Sequence, residues 1–299
     1  MINARSSADS DWDDRVTAFP AFIPTELPSS QTDAAVYTPA YPAATTRLAP
    51  DDVVAIVARY YEVGSVRLCE FERASYNEVY RISLSDGVTV FGRLERIVKV
   101  VPKNVPYEFA LLTVLAKANL PVCAAIPLYS GEWTVTIAVP GGLKHFTLFE
   151  EVRGIEPLAE ETSLRMSGAG LANLHNASLK VSLLGQPAAM TLDASFAKAF
   201  DTVLSSHLLD ERGTRAYLEL KARLDTLQEE SRSDRSHWRR GHFHGDPYRN
   251  RLEQRDENER LAIAFIDFDD AAPGYLALDL ANFFEELVAA HKNRRRSID

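Results

Sequence analysis

The sequence predicts an α+β protein of two lobes, an N-terminal antiparallel sheet lobe followed by a C-terminal helical lobe. Three observations lead there. Residues 66–94 hold three short β-rich runs, the last two joined by the turn signal Ser85-Asp86-Gly87. One helical stripe, Tyr107 to Ala118, interrupts the strand pattern. Beyond Arg153-Gly154 the apolar spacing becomes helical over Ser163 to Ala177, Ser195 to Ser206 and Glu211 to Glu230.

Taken in order, residues 1–48 are rich in Ser, Thr, Ala and Pro without periodicity, and read as a flexible extension. Pro50-Asp51-Asp52 signals a helix start before the apolar positions Val53, Ile56, Val57 and Tyr60. Strands follow over Val66 to Phe71, Glu78 to Leu84 and Thr89 to Leu94. Phe109, Leu111, Leu112, Leu115 and Ala116 form the helical stripe, which Asn119-Leu120-Pro121 stops. Further strands are expected around Ala125 to Tyr129, Trp133 to Val139 and Phe146 to Val152. An N-terminal lobe over 49–153 then gives way to a C-terminal lobe over 154–299. The latter includes a strand over Leu261 to Phe268 and a last helix near Leu276 to His291.

The bulk composition excludes several classes. A net charge of −9 with a pI near 5.4 argues against an electrostatic grip on nucleic acid or anionic membrane. The basic stretches Arg232 to Arg240 and Lys292 to Arg296 are local and read as solvated faces. Cys69 and Cys123 stand far apart, which excludes a cysteine zinc or redox site and fits a reducing compartment. No apolar run is long enough for a membrane helix. Asp9, Asp11, Asp13 and Asp14 occupy a region where a signal peptide needs a basic start. The expectation is a cytoplasmic protein that engages neither membrane nor nucleic acid, of unspecified oligomeric state.

Chemistry concentrates in His244-Gly245-Asp246-Pro247-Tyr248-Arg249-Asn250 and in Ile266-Asp267-Phe268-Asp269-Asp270. Phosphoryl transfer requires a carboxylate that positions or deprotonates the attacking hydroxyl. It also requires oxygen ligands that hold Mg²⁺ against the nucleotide phosphates. An Asp-plus-Asn loop followed by an Asp at the end of a buried strand supplies both from one hairpin-like unit. Neither an HExxH spacing nor a GxSxG element is present to suggest metalloprotease or serine-hydrolase chemistry.

HGDPYRNR, AFIDFDDA and ALDLANFF, in that order, resemble the aminoglycoside phosphotransferase and choline kinase superfamily, whose pattern runs HGDxHxxN, IDFxDA, DLA. The resemblance covers roughly 53–290 and implies a protein-kinase-like fold. It implies ATP (or GTP) and Mg²⁺ as cofactors and a small-molecule hydroxyl acceptor as partner. Asp246 becomes the catalytic base, Asp267 a metal ligand, and Asp279 a buried carboxylate bracing the catalytic loop. The stretches VFGRLER, YEFALLTVLAKANLPV and HFTLFEEVRG match the family's nucleotide-binding strand, helix and hinge. In that register Arg93 is the basic residue for the nucleotide phosphates, with Glu108 as its helix partner, and Lys99 is a competing candidate. Asn77 lies in the phosphate-covering turn, while Glu150 and Val152 offer hinge backbone groups to adenine. His175 matches a family helix signature and reads as a packed structural histidine.

The chain departs from the pattern at one point that matters. The family's metal-binding Asn falls on Arg251, and Asn250 stands one position earlier; the second His of the motif is Tyr248. Two readings follow. A loop shortened by one residue delivers Asn250 to the metal, the favoured reading, or Arg251 repels Mg²⁺ and leaves a weak or inactive enzyme. Two alternatives to a small-molecule kinase therefore stand beside it: a catalytically degenerate binding module, and a kinase of protein Ser/Thr.

Overall fold

The structure, a computed structural model, describes residues 36–37, 47–74, 76–95, 105–139, 142–179, 192–232, 237–255 and 261–296. Lys99 lies outside these residues, so its competition with Arg93 is not addressed by them.

Helix α1 (Pro50–Tyr60) starts on a proline, which needs no N–H partner there, and carries Asp51 and Asp52 against the positive end of its dipole. Its Val53, Ile56 and Val57 are buried. Strands β2 (Val66–Ala74), β3 (Glu78–Leu84) and β4 (Thr89–Leu94) form an antiparallel meander. Helix α2 (Val105–Lys117) follows, and the chain turns at Asn119 in the left-handed region (φ 56) before Pro121. Strands β5 (Ala125–Ile126), β6 (Val135–Val139) and β7 (Gly142–Glu150) complete the lobe, with β7 lying between β6 and β4. The two residues Val36–Tyr37 (β1) add a parallel edge to β6, so part of the stretch expected to be a free extension joins the sheet.

Alternation divides the sheet into two faces. Tyr80, Ile82, Leu84, Val90, Leu94, Phe146 and Leu148 share a core with α1. Gly92 belongs to that face because a Cβ there would meet the Phe146 ring at 2.5 Å. Phe91, Arg93, Thr147 and Phe149 take the other face, towards α2.

Helix α3 (Glu161–Ser178) opens the second lobe, followed by α4 (Leu192–Ser205) and α5 (Glu211–Arg232). Four short strands frame the site. Strand β8 (Arg240–Phe243) pairs with β11 (Ala272–Tyr275), and β9 (Arg251–Arg255) pairs with β10 (Leu261–Phe265), both antiparallel. Helix α6 (Ala277–Arg296) closes the order. Helix α2 and Phe149 share a second core with Leu171 and Leu174 of α3, Ile263 and Phe265 of β10, and Phe268. That common core ties the sheet lobe to the helical lobe directly behind the candidate site.

Candidate active site

The loop between β8 and β9 carries Asp246 and Asn250, and the loop between β10 and β11 carries Asp267. Because β9 and β10 are paired, both loops emerge at the same end of one ladder. Asn250 donates from Nδ2 to Asp246 Oδ2 at 3.2 Å, while its carbonyl accepts the Ile266 N–H at 2.9 Å. The base expected from the sequence, the expected Asn ligand and the strand leading to the expected Asp ligand are thus joined by two hydrogen bonds.

The start of the loop is held by a buried carboxylate. Asp279, with no exposed surface, accepts the backbone N–H of His244 at 2.9 Å and of Gly245 at 2.8 Å. His175 of α3 meets its Oδ2 at 2.7 Å. His244 is buried, and desolvation pushes its pKa below the usual imidazole range, so it is neutral. Its partners fix the tautomer: Nε2 donates to the Ile266 carbonyl at 3.0 Å, and Nδ1 accepts from Asp246 N–H at 3.2 Å. Asn282 of α6 adds a hydrogen bond from Nδ2 to the Gly245 carbonyl.

Two backbone conformations shape the loops. Gly245 has φ +98, and a Cβ there would sit 2.5 Å from the Asp270 carbonyl oxygen. Asp267 takes φ 61, a left-handed conformation that Asp tolerates better than most side chains. This turn begins after Phe265, two residues before Asp267, so the expected strand to Phe268 ends early.

Arg93 reaches the site from β4. Its guanidinium pairs with Glu108 of α2 through Nη1–Oε1 at 2.8 Å and Nη2–Oε2 at 2.6 Å. Nη1 also meets Asp267 Oδ1 at 3.2 Å, and Glu95 lies 3.6 Å from Nη2. Burial opposes the charge on Arg93, but Glu108, then Asp267 and Asp269, outweigh it and keep the guanidinium ionised. Asn77, in the turn between β2 and β3, donates to Asp269 Oδ2 at 2.8 Å. Burial and the neighbouring Asp267 raise the pKa of Asp269.

At the hinge, the Glu150 N–H is already bonded to the Ala124 carbonyl at 2.9 Å, and the Glu150 carbonyl faces the Cys123 thiol at 3.4 Å. The Glu150 amide is therefore not a free donor. Among the described residues the Val152 amide makes no backbone hydrogen bond.

Arg251 sits at the first position of β9, opposite Phe265, and its side chain turns away from the acids. The guanidinium stacks over Tyr248 (4.1 Å) and Phe283 (5.0 Å), donates to Ser167 Oγ at 3.1 Å, and donates to the Tyr248 carbonyl. None of these contacts is with Asp246, Asn250 or Asp267.

A divalent cation fits this donor set. Among the described residues no three His, Cys, Asp or Glu side chains gather to hold a metal alone. Mg²⁺ does not need them, since it takes one or two carboxylates and fills its octahedron with water and phosphate oxygens. The Asp267 carboxylate, about 30% exposed, and Asn250 Oδ1, left over by the bond to Asp246, are hard oxygen donors of the right kind.

Residues 67–295 match the sequence model of the family described as the phosphotransferase enzyme family, APH. The chain belongs to that family. The phosphotransferase is 23% identical over 251 residues to the uncharacterized protein sll1119 of Synechocystis, an alignment spanning 82% of this chain and 67% of the relative. Its fold is similar to that of the microcompartment-associated aminopropanol kinase, with a TM-score of 0.57 and 19% identity over 77% of this chain and 73% of that one. It is also similar to the amicoumacin kinase hAmiN in complex with AMP-PNP and Ca²⁺, with a TM-score of 0.58 and 14% identity over 78% and 67%. The two-lobed, kinase-like α+β fold expected from the sequence is thus the fold of this phosphotransferase. No helix among its described residues is long and apolar enough to cross a membrane.

Glu95 escaped the sequence reading, and Asp269, though named in the acidic run, was given no role there. Glu95 stands two positions after Arg93, where strand alternation returns a side chain to the same face. Asp269 follows Asp267 by two, and its contact with Asn77 depends on how the lobes meet.

Proposed function

We propose that this phosphotransferase uses ATP and Mg²⁺ to phosphorylate a hydroxyl group of a small molecule. The observation that carries the reading is the convergence of Asp246, Asn250 and Asp267 at one end of the β9–β10 ladder, with Arg93 touching Asp267. In the reaction Asp246 accepts a hydrogen bond from the acceptor hydroxyl and takes its proton. The acceptor oxygen bonds to the γ-phosphorus as the bond from that phosphorus to the bridging oxygen breaks, and ADP leaves. Asn250 Oδ1 and Asp267 would hold Mg²⁺, which supplies charge neutralisation to the phosphates when bound. Arg93, fixed by Glu108, contributes a fork of donors suited to phosphate oxygens, and Asn77 a further donor from the covering turn. Phe149 to Val152 would receive the base, with the Glu150 carbonyl as acceptor and the Val152 N–H as donor.

The structural relatives named as kinases of aminopropanol and of amicoumacin support a small-molecule acceptor over a protein one. AMP-PNP in one relative supports ATP, while GDP in two aminoglycoside phosphotransferase structures of the same fold keeps GTP as the second nucleotide. The case for a degenerate module rested on Arg251 at the metal position, and its turned-away side chain weakens that case.

A screen for ATP consumption across amino alcohols, aminoglycosides and sugars, run with and without Mg²⁺, tests the reading. Asp246→Ala should lower turnover by about 10²–10⁴-fold while nucleotide affinity holds. Full activity in that variant would remove Asp246 from the role of base.

A further inference from the structure

Arg251 poses a physical problem that the proposed reaction does not solve. The residue is only 3% exposed, and desolvation pulls the pKa of its guanidinium down. Among the described residues no carboxylate hydrogen-bonds to it, its partners being a serine hydroxyl and a backbone carbonyl, although the charge of Glu156 acts on it from beyond hydrogen-bond contact. Stability alone favours an apolar residue at such a position. Two aromatic contacts compensate in part, since the cation lies 4.1 Å from the Tyr248 ring and 5.0 Å from the Phe283 ring, which stand edge to face at 5.1 Å.

What the guanidinium touches is the middle of the catalytic loop. Asp279 and Asn282 hold the loop's beginning, and the bond from Ile266 N–H to Asn250 O holds its end. Between them lies the turn Pro247-Tyr248-Arg249. Pro247 has no N–H to donate, and Arg249 points to the surface, bonded to Glu286 at 2.6 Å. The Tyr248 carbonyl and ring are what remain to grip, and Arg251 grips both. Its other end is anchored to α3 through Ser167, whose hydroxyl donates to the Ser163 carbonyl at 2.7 Å. The loop is one residue shorter than the pattern it resembles, and this turn carries the Asn250–Asp246 contact at 3.2 Å.

We propose that Arg251 is the positioning residue of the shortened loop: by fixing the Tyr248 carbonyl and ring against α3 and α6, it brings Asn250 against Asp246. This rests on the phosphotransferase reading for its kinetic consequence, but not for its structural one. A single planar fork that stacks and donates in two directions does this, whereas a Lys ammonium has neither the plane nor the fork.

The test uses the full chain, Mg²⁺-ATP, and water as the phosphoryl acceptor, read as slow ATP hydrolysis. In Arg251→Ala, kcat should fall by about 100-fold, the cost of misplacing a catalytic group by about 1 Å, with any rise in KM for Mg²⁺-ATP from the moved Asn250 smaller than that fall. Ethylguanidinium, which fills the space the side chain leaves, should restore at least a tenth of the lost kcat. Arg251→Lys should remain folded and still lose most of the activity, which decides the matter if the alanine variant does not fold. Wild-type kcat in Arg251→Lys, or a loss in Arg251→Ala confined to KM, would overturn the proposal. If the wild-type protein hydrolyses no ATP, the phosphotransfer reading is what is in difficulty. A crystal structure of the lysine variant then still decides the positioning. A displaced Tyr248 carbonyl and a broken Asn250–Asp246 bond support it, and an unmoved loop refutes it.

Discussion

Asn77 Nδ2 donates to Asp269 at 2.8 Å, bridging the covering turn of the sheet lobe and the acidic loop of the helical lobe. Beside it, Arg93 meets Asp267 at 3.2 Å. The two donors proposed for the nucleotide phosphates are thus engaged by two carboxylates, which under that proposal compete with phosphate oxygens. Metal-free nucleotide must displace these contacts and also face both acids. Asp269→Ala should therefore tighten metal-free ATP binding by about fivefold, the worth of about 1 kcal/mol for one freed hydrogen bond. Isothermal titration in chelator measures this, and an unchanged Kd would mean that Asn77 does not compete.

The Arg93–Glu108 pair makes a different prediction, about stability. Both groups are nearly fully buried, with side chains 7% and 4% exposed. Removing the cation strands a carboxylate in the second core. Arg93→Met should cost about 3–5 kcal/mol in denaturant unfolding, and adding Glu108→Leu should recover most of it. The double variant should still lose nucleotide affinity. A single-variant loss below about 1 kcal/mol would show that water reaches Glu108 freely.

Much of this was legible in the sequence because the signals were local. The bounds of β3 and β4 follow from alternation and the Ser85-Asp86-Gly87 turn, and Pro50 with Asp51 and Asp52 marks the start of α1. The order HGD, IDF, DLA marked Asp246, Asp267 and Asp279, and the fold brings them to one end of two short ladders. Strands β8, β9 and β11 were not legible: RGHF, RLEQR and APGY are short, polar or glycine- and proline-bearing, and exist through distant partners. The direction of Arg251 was equally hidden. A buried arginine depends on Tyr248, Phe283 and Ser167 meeting around it, and spacing along the chain does not encode that meeting.

Gly245 carries a prediction that separates loop geometry from loop chemistry. With φ +98 and the Asp270 carbonyl 2.5 Å from a notional Cβ, any side chain both strains the backbone and pushes the two acidic loops apart. Gly245→Ala should lose about 1–3 kcal/mol of stability from the backbone conformation. Turnover should fall by more than that stability loss explains, because Asp246 is the next residue. Equal activity per folded molecule would show that the loops accommodate the methyl group without moving Asp246.

Glu95 supplies the pH dependence. Burial raises its pKa from the usual 4.5 to about 7; Arg93, 3.6 Å away, opposes the shift, and Glu108 and Asp269 add to it. The sign follows from linkage. The folded protein holds this proton more tightly than the unfolded chain, so the group favours folding while protonated. That advantage is lost as pH rises from about 4.5 to about 7, and above it the ionised carboxylate is a burden of the order of 1–3 kcal/mol. Glu95→Gln mimics the protonated form. It should leave stability nearly unchanged at acid pH and raise it at pH above 7, with the difference developing across that interval. Denaturant unfolding of both proteins at several pH values measures this. A gain of the same size throughout would assign the effect to packing instead of charge, and a loss above neutrality would mean that the ionised Glu95 holds Arg93 in place.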